Sequence, residues 1–149
     1  MPTKVVPIRF VDHLGNPSGP DHDVRMAIPV FDVTLCAPTD FTIAAQGNGI
    51  ALVDTGADSN HATPESIRSL SLHRLYDGET HSVHGTVAST AYSGGLYFPS
   101  AQLLISTEIT SDVFRNRCYS VIVGRRTLEM GCLVMDYPNR IFEWRVPIP

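Results

Sequence analysis

Two carboxylates four residues apart, Asp54 and Asp58, follow an apolar run in Gly49-Ile50-Ala51-Leu52-Val53-Asp54-Thr55-Gly56-Ala57-Asp58. An apolar strand that ends on an aspartate carries the carboxylate to the edge of a low-dielectric core. There ionisation is disfavoured and the group is tuned for proton transfer. Gly56 lets the backbone turn sharply and approach a neighbour closely. General acid–base catalysis is the chemistry that such an Asp54 is suited to.

The elements that must hold this loop are short strands with little helix. Val5 to Val11 is an apolar-rich strand, and the stretch from His13 to Asp23, with Gly15, Pro17, Gly19 and Pro20, is a loop. Met26 to Cys36 alternates so as to bury one face, and Ala37-Pro38-Thr39-Asp40 turns the chain. Ile50 to Val53 is the strand that delivers Asp54. Thr63-Pro64-Glu65 supplies an N-cap, a proline at the first helical position and a first-turn acid, which predicts a helix from Pro64 to about Leu72. His81 to Ala91 and Gly95 to Ile105 read as strands separated by Ser93-Gly94-Gly95, with Pro99 marking an interruption. Cys118 to Val123 is an apolar strand, Arg125 to Met130 a helical turn or two closed by Gly131. Leu133 to Met135 and Ile141 to Val146 flank the turn Tyr137-Pro138-Asn139-Arg140 as a final hairpin.

Composition narrows the function classes. A chain of 149 residues with 43% hydrophobic content forms one domain with a sizeable core. Eleven dispersed basic residues and a net charge of −4 argue against nucleic acid and against a polybasic membrane anchor. No apolar run approaches the roughly eighteen residues of a membrane span, and the N-terminus, with Lys4, has no apolar secretion core, which predicts a cytoplasmic chain. Cys36, Cys118 and Cys132 form neither a disulfide framework nor a zinc motif and read as buried thiols in a reducing compartment. His81 and His84, three apart in a strand, point to opposite faces, so no metal site is expected. No cofactor is implied.

A second segment changes what Asp54 means. Tyr119-Ser120-Val121-Ile122-Val123-Gly124-Arg125-Arg126-Thr127-Leu128 is an apolar run closed by glycine, followed by a basic residue and a short amphipathic turn. Together with Asp54-Thr55-Gly56-Ala57-Asp58 it resembles the retropepsin-like (retroviral-type) aspartic proteases. In that resemblance Asp54 is the catalytic aspartate, Thr55 and Gly56 complete the triplet, Asp58 is the following acid, and Gly124 with Arg125 is the pair that braces the loop. It covers roughly residues 26 to 146, which leaves residues 1–25 as an N-terminal extension and 147–149 as a tail of a single domain. The fold it implies is all-β, a closed barrel with one or two short helices and an active site on the two-fold axis of a homodimer.

Function follows from the same likeness. Such a protease needs two carboxylates sharing one proton, one activating water and the other donating to the peptide carbonyl. No second Asp-Thr-Gly or Asp-Ser-Gly occurs: Asp77-Gly78 lacks the hydroxyl residue and Asp136-Tyr137-Pro138 cannot turn the same way. The second aspartate must then be Asp54 of another copy. The resemblance further implies that Thr55 hydrogen-bonds across the dimer, that Asp58 and Arg125 form a partly buried ion pair, and that Ala57, lacking a hydroxyl, leaves the dyad titrating somewhat higher. It places a mobile flap at Val83-His84-Gly85-Thr86-Val87-Ala88-Ser89, closing with Ala57 and Asp58 on an extended peptide or protein substrate. Terminal residues Val5, Val6, Ile8 and Ile148 are available to interleave between copies. Arg126 departs from the family, which often has a small polar or acidic residue there. The expectation is an aspartic endopeptidase. The alternatives are a catalytically weak or inactive retropepsin-like domain kept for dimerisation or peptide binding, and a β-barrel binding module in which Asp54 merely ends a strand.

Overall fold

The computed structural model describes residues 2–21, 26–38 and 49–149. Thr39 and Asp40 of the turn after the fourth strand, and residues 22–23 of the early loop, lie outside the described residues. In chain order the strands are β1 (Thr3–Pro7), β2 (Arg9–Val11), β3 (Pro17–Ser18), β4 (Ile28–Cys36), β5 (Gly49–Val53), β6 (Asn60–Ala62), β7 (His73–Ser82), β8 (Gly85–Phe98), β9 (Leu103–Ser111), β10 (Val121–Val123), β11 (Cys132–Asp136) and β12 (Ile141–Pro147). Among the described residues helix is confined to α1 (Pro64–Ser69), α2 (Arg125–Leu128) and a 3-10 turn at Pro99–Ala101. The protein is all-β, and no helix among the described residues is long and apolar enough to cross a membrane.

Nine strands form one sheet in the order β3-β2-β4-β5-β10-β6-β9-β8-β7, and β4 pairs with β8 as well as with β5. The circuit β4-β5-β10-β6-β9-β8 therefore returns to its start, a closed barrel that leaves no open edge among those six strands. β4 can serve both neighbours on one edge because Ile28 to Val30 pair with β2 and Thr34 to Cys36 with β8. This double use buries both faces of β4, at Val30, Phe31, Val33, Thr34 and Cys36, where alternation alone predicts one buried face.

The core sits between the barrel and the smaller sheet β1-β12-β11. Phe31, Phe98 and Trp144 are fully buried and meet pairwise, with ring centroids 5.5 to 5.8 Å apart. Trp144 also donates its indole N–H to the Leu128 carbonyl at 3.1 Å, so β12 is fastened to α2 as well as to the aromatic core.

The stretch from Val5 to Val11 is two strands. The chain steps at Ile8, whose N–H goes to Phe142, so that β1 joins the small sheet while β2 joins the large one. β1 pairs with β12 of the same chain, Val6 opposite Trp144, and Ile148 donates its N–H to Pro2. Val6 and Ile8 are thereby spent inside the protomer, and the ends are paired.

Further expectations are corrected. β8 runs unbroken through Gly94 and Gly95, and the interruption falls only at Pro99. A Cβ at Gly94 would lie 2.6 Å from Ile109 Cγ1 and one at Gly95 2.8 Å from Cys36 Sγ, so these glycines serve close packing. Residues 81–91 are not one strand, since the chain reverses at Val83 and His84, with Ser82 paired to Gly85. Gly85 takes φ +124°, a conformation that favours glycine. That reversal also removes the premise that His81 and His84 lie in one strand. Of the cysteines only Cys36 is buried, and none forms a disulfide. α1 begins as expected, with the Thr63 hydroxyl accepting from the Ser66 N–H, and ends at Ser69, earlier than Leu72. Gly131 follows α2 because a side chain there would overlap the Arg145 carbonyl, not because a left-handed φ is needed.

Candidate active site

β5 and β10 run parallel, with Val53 opposite Val123, and β10 pairs antiparallel with β6 on its other side. The loop from Asp54 to Ser59 must therefore cross the end of β10 to carry the chain from one neighbour to the other. Asp54 donates its N–H to the Val123 carbonyl at 3.0 Å, which fixes it at the mouth between the two parallel strands. Its Oδ1 accepts from the Gly56 N–H at 2.9 Å. The loop folds around its own carboxylate, and this short turn is why a residue without a side chain follows Thr55. Asp54 is half-buried, whereas Thr55 and Gly56 are exposed.

α2 starts directly under the crossing loop. A helix begins with N–H groups that have no partner in the helix, and here loop carbonyls supply the partners: Arg125 donates to Ala57 at 2.8 Å and Arg126 to Asp58 at 3.0 Å. Gly124 packs so tightly there that an added Cβ would overlap Ser59 O and lie 2.7 Å from Ala57 O. The structure thus brings together the Asp54–Asp58 loop with Gly124 and Arg125. Arg125 and Asp58 form an ion pair, but the side chains are 60% and 81% exposed, so it is a surface pair and not the partly buried one expected. Burying it requires a second surface that one chain does not provide. Arg126 lies 3.5 Å from Glu108, which also accepts from the Tyr76 hydroxyl at 2.7 Å, so the unexpected positive charge is balanced within the chain.

Asn60 is the bracing residue that the sequence does not announce. It is fully buried, accepts from the Gly124 N–H at 3.1 Å, and donates to Thr107 Oγ1 at 3.1 Å and the Glu108 carbonyl at 3.4 Å. One amide thereby ties the aspartate loop to α2 and β9. Asn60→Leu leaves the Gly124 N–H buried without an acceptor, and a loss of roughly 2–4 kcal/mol in unfolding free energy is expected. Urea denaturation of the two proteins measures it, and a loss below about 1 kcal/mol would show that the amide braces nothing.

Above Asp54 the β7–β8 hairpin forms the wall of a cleft of about 600 Å³, lined on the opposite side by Asp58, His61, Ile122 and Asp112. The hairpin contributes Tyr76 and Gly78 to Ser82 from β7, Val83 from its turn, and Ser89 and Ala91 from β8. Of the stretch expected to form the flap, Val83 and Ser89 line the cleft, together with Ala57 and Asp58 from the aspartate loop. His84, Gly85 and Thr86 sit at or beyond the tip, Val83 itself is 97% exposed, and Thr86 is hydrogen-bonded to His81 at 2.8 Å. The β7 arm supplies more of the hairpin's lining than the β8 arm does. No three His, Cys, Asp or Glu side chains among the described residues gather as a metal site.

His61 is buried in the cleft wall, and burial pushes its imidazole below the ordinary value of 6.5, against the pull of Asp112 and, more weakly, Asp54. A histidine held neutral contributes stability that is present above its unfolded value and lost as pH falls through its lower folded value. Unfolding midpoints should thus hold from pH 8 to 7 and decline below about 6.5. His61→Phe flattens this decline, and an unchanged pH profile in that variant would remove His61 as its source.

A closed all-β barrel with an aspartate at the mouth of two parallel strands, braced from a Gly-Arg helix start and walled by a long hairpin, defines the retropepsin-like class of fold. Solved structures that resemble the chain include two proteases. The retropepsin-like aspartic protease from Rickettsia conorii matches with TM-score 0.53 and 12% identity over 97% of this chain and 94% of that one. EIAV protease complexed with the inhibitor HBY-793 matches with TM-score 0.49 and 16% identity over 79% of this chain and 99% of that one. No family model and no curated protein sequence matches. The fold is retropepsin-like, and the likeness to the Rickettsia conorii protein runs through nearly the whole chain.

Proposed function

We propose that this chain is an aspartic endopeptidase that works as a homodimer on extended polypeptides. The observation that carries the reading is the position of Asp54: its backbone is clamped to Val123 at the floor of the cleft, while Thr55 and Gly56 beside it remain exposed for a second copy to cover. Two Asp54 carboxylates facing each other across a two-fold axis hold one proton between them, because like charges that close cannot both ionise. The ionised member takes a proton from water as the water oxygen bonds to the scissile carbonyl carbon, and the protonated member gives its proton to the carbonyl oxygen. The resulting tetrahedral diol collapses as the C–N bond breaks and a proton passes to the departing amine. Thr55 fixes the spacing of the carboxylates, Asp58 and Arg125 are buried by the partner, and the β7–β8 hairpin closes over the peptide.

The test is cleavage of a peptide library, together with sedimentation at the assay concentration. A dimer whose turnover is blocked by a statine-type mimic of the tetrahedral species is the expected result. A monomer with full turnover, or a dimer that cleaves nothing from pH 3 to 8, overturns it. Because Ala57 has no hydroxyl to stabilise the ionised dyad, activity should be greatest at mildly acidic pH. A rate maximum well below pH 4 contradicts that part.

A further inference from the structure

The cleft has a corner whose chemistry the peptidase mechanism does not use. β6 and β9 run parallel, His61 paired with Thr110 and Ala62 with Ser111. Asp112 follows β9 directly and donates its N–H to the Ala62 carbonyl at 3.0 Å, which holds its side chain at the cleft wall beside His61. His61 Nδ1 comes within 3.5 Å of Asp112 Oδ2 but makes no hydrogen bond, although the residue is only 8% exposed. Asp112 keeps 43% of its side chain open. The ring next to this carboxylate is held neutral by burial, so it does not compensate the charge.

The surrounding charges do not compensate it either. Asp54 and Glu79 line the same cleft and add negative charge, Asp58 is engaged by Arg125, and His81 faces Glu79 at 3.9 Å from the hairpin. Arg126 is occupied by Glu108 behind Tyr76. No lysine or arginine among the described residues lines the cleft. A narrow cleft walled by carboxylates concentrates a negative potential. A half-open carboxylate in such a wall, with no cation among the described residues beside it, is a ready acceptor for a donor that enters the cleft.

We propose that the His61–Asp112 corner is a specificity subsite that takes a lysine or arginine side chain of the peptide, next to the apolar side chains met by Ile122 and Ala91. This rests on the peptidase reading for the peptide's path through the cleft, but the recognition itself needs no hydrolysis. The substrate ammonium or guanidinium donates to Asp112, its methylene stem lies along the His61 ring, and the neutral imidazole adds no repulsion.

The experiment uses non-cleavable reduced-amide peptides in which one lysine, or the uncharged isostere norleucine, is moved through each position of an extended neutral sequence. Affinities for wild type and Asp112→Asn are measured by calorimetry, with circular dichroism confirming that the variant is folded. At one position lysine should bind about fivefold more tightly than norleucine, or ~1 kcal/mol, the range of a partly exposed ion pair. Asp112→Asn should erase that ratio without weakening the norleucine peptide. Added salt should reduce it in the wild type, a readout independent of any variant. Equal affinities at every position, a ratio that survives Asp112→Asn or salt, or no peptide binding at all overturns the subsite. Lysine-selective binding by a protein that hydrolyses nothing would sink the peptidase reading and leave the subsite standing. Hydrolysis without lysine selectivity does the reverse.

Discussion

Asp54→Asn should lower kcat/KM for any cleaved peptide by about 10³-fold or more while leaving the thermal midpoint almost unchanged. The side chains are isosteric, and an asparagine Oδ1 accepts from the Gly56 N–H as Asp54 Oδ1 does at 2.9 Å, so the loop keeps its turn. What is lost is the exchangeable proton. General acid and general base assistance each contribute roughly 10²–10⁴-fold, and in the proposed symmetric dimer one substitution removes both, because there the two roles would fall to two copies of one residue. Measured together, steady-state rates and unfolding midpoints separate chemistry from folding. Turnover within tenfold of wild type would mean that the water is activated elsewhere. A tumbling midpoint would mean that Asp54 is structural.

The second large effect is on stability and concerns a residue with no side chain. Gly124 lies where the crossing loop, β10 and α2 converge, and a Cβ at that position overlaps the Ser59 carbonyl with Ala57 O only 2.7 Å away. Both obstacles are backbone, so no side-chain rotation relieves them. For Gly124→Ala either the loop lifts from α2, losing the Arg125 to Ala57 and Arg126 to Asp58 hydrogen bonds, or Gly124 withdraws from Asn60. Overpacking of this kind costs about 1–3 kcal/mol, and the stranded N–H groups add to it. The thermal midpoint should drop by about 5–10 °C, given roughly 2–4 °C per kcal/mol in a domain of this size. Activity should fall further than stability, since displacement of Ala57 moves Asp54. Differential scanning calorimetry with a peptide-cleavage assay tests both. A midpoint within a degree of wild type would show that the loop has more room than its geometry allows.

Much of the fold was legible because its signals are local. The run Ile50 to Val53 ending on Asp54, the N-cap at Thr63 with Pro64, the turn at Tyr137 to Arg140, and the strand ending at Gly124 each depend on a few adjacent residues, and each forms. The misreadings came from residues whose role is set by distant partners. Gly94 and Gly95 resemble a turn, yet they are thin because Ile109 and Cys36 come from other strands to lie against them. Val83 and His84 form the hairpin tip without the usual Asn-Gly signal, so the reversal passed for a continuous strand. Of the site, the Asp54 loop and the Gly124-Arg125 pair were visible. Asn60, His61 and Asp112 were not, because a single polar residue among others carries no periodic or spacing signal.

The sequence by itself determined the carboxylate at position 54, the glycine turn around it and the β-rich alternation, since strand ends, caps and tight turns are decided by neighbours along the chain. Only the tertiary structure decided that β10 enters between β5 and β6 so that the loop must cross it, that β1 is consumed by β12, and that a neutral imidazole meets an open carboxylate in the cleft wall. Those arrangements arise from pairings between segments tens of residues apart. They are selected by how the whole core fills and how each buried N–H finds an acceptor, which no local window of residues contains.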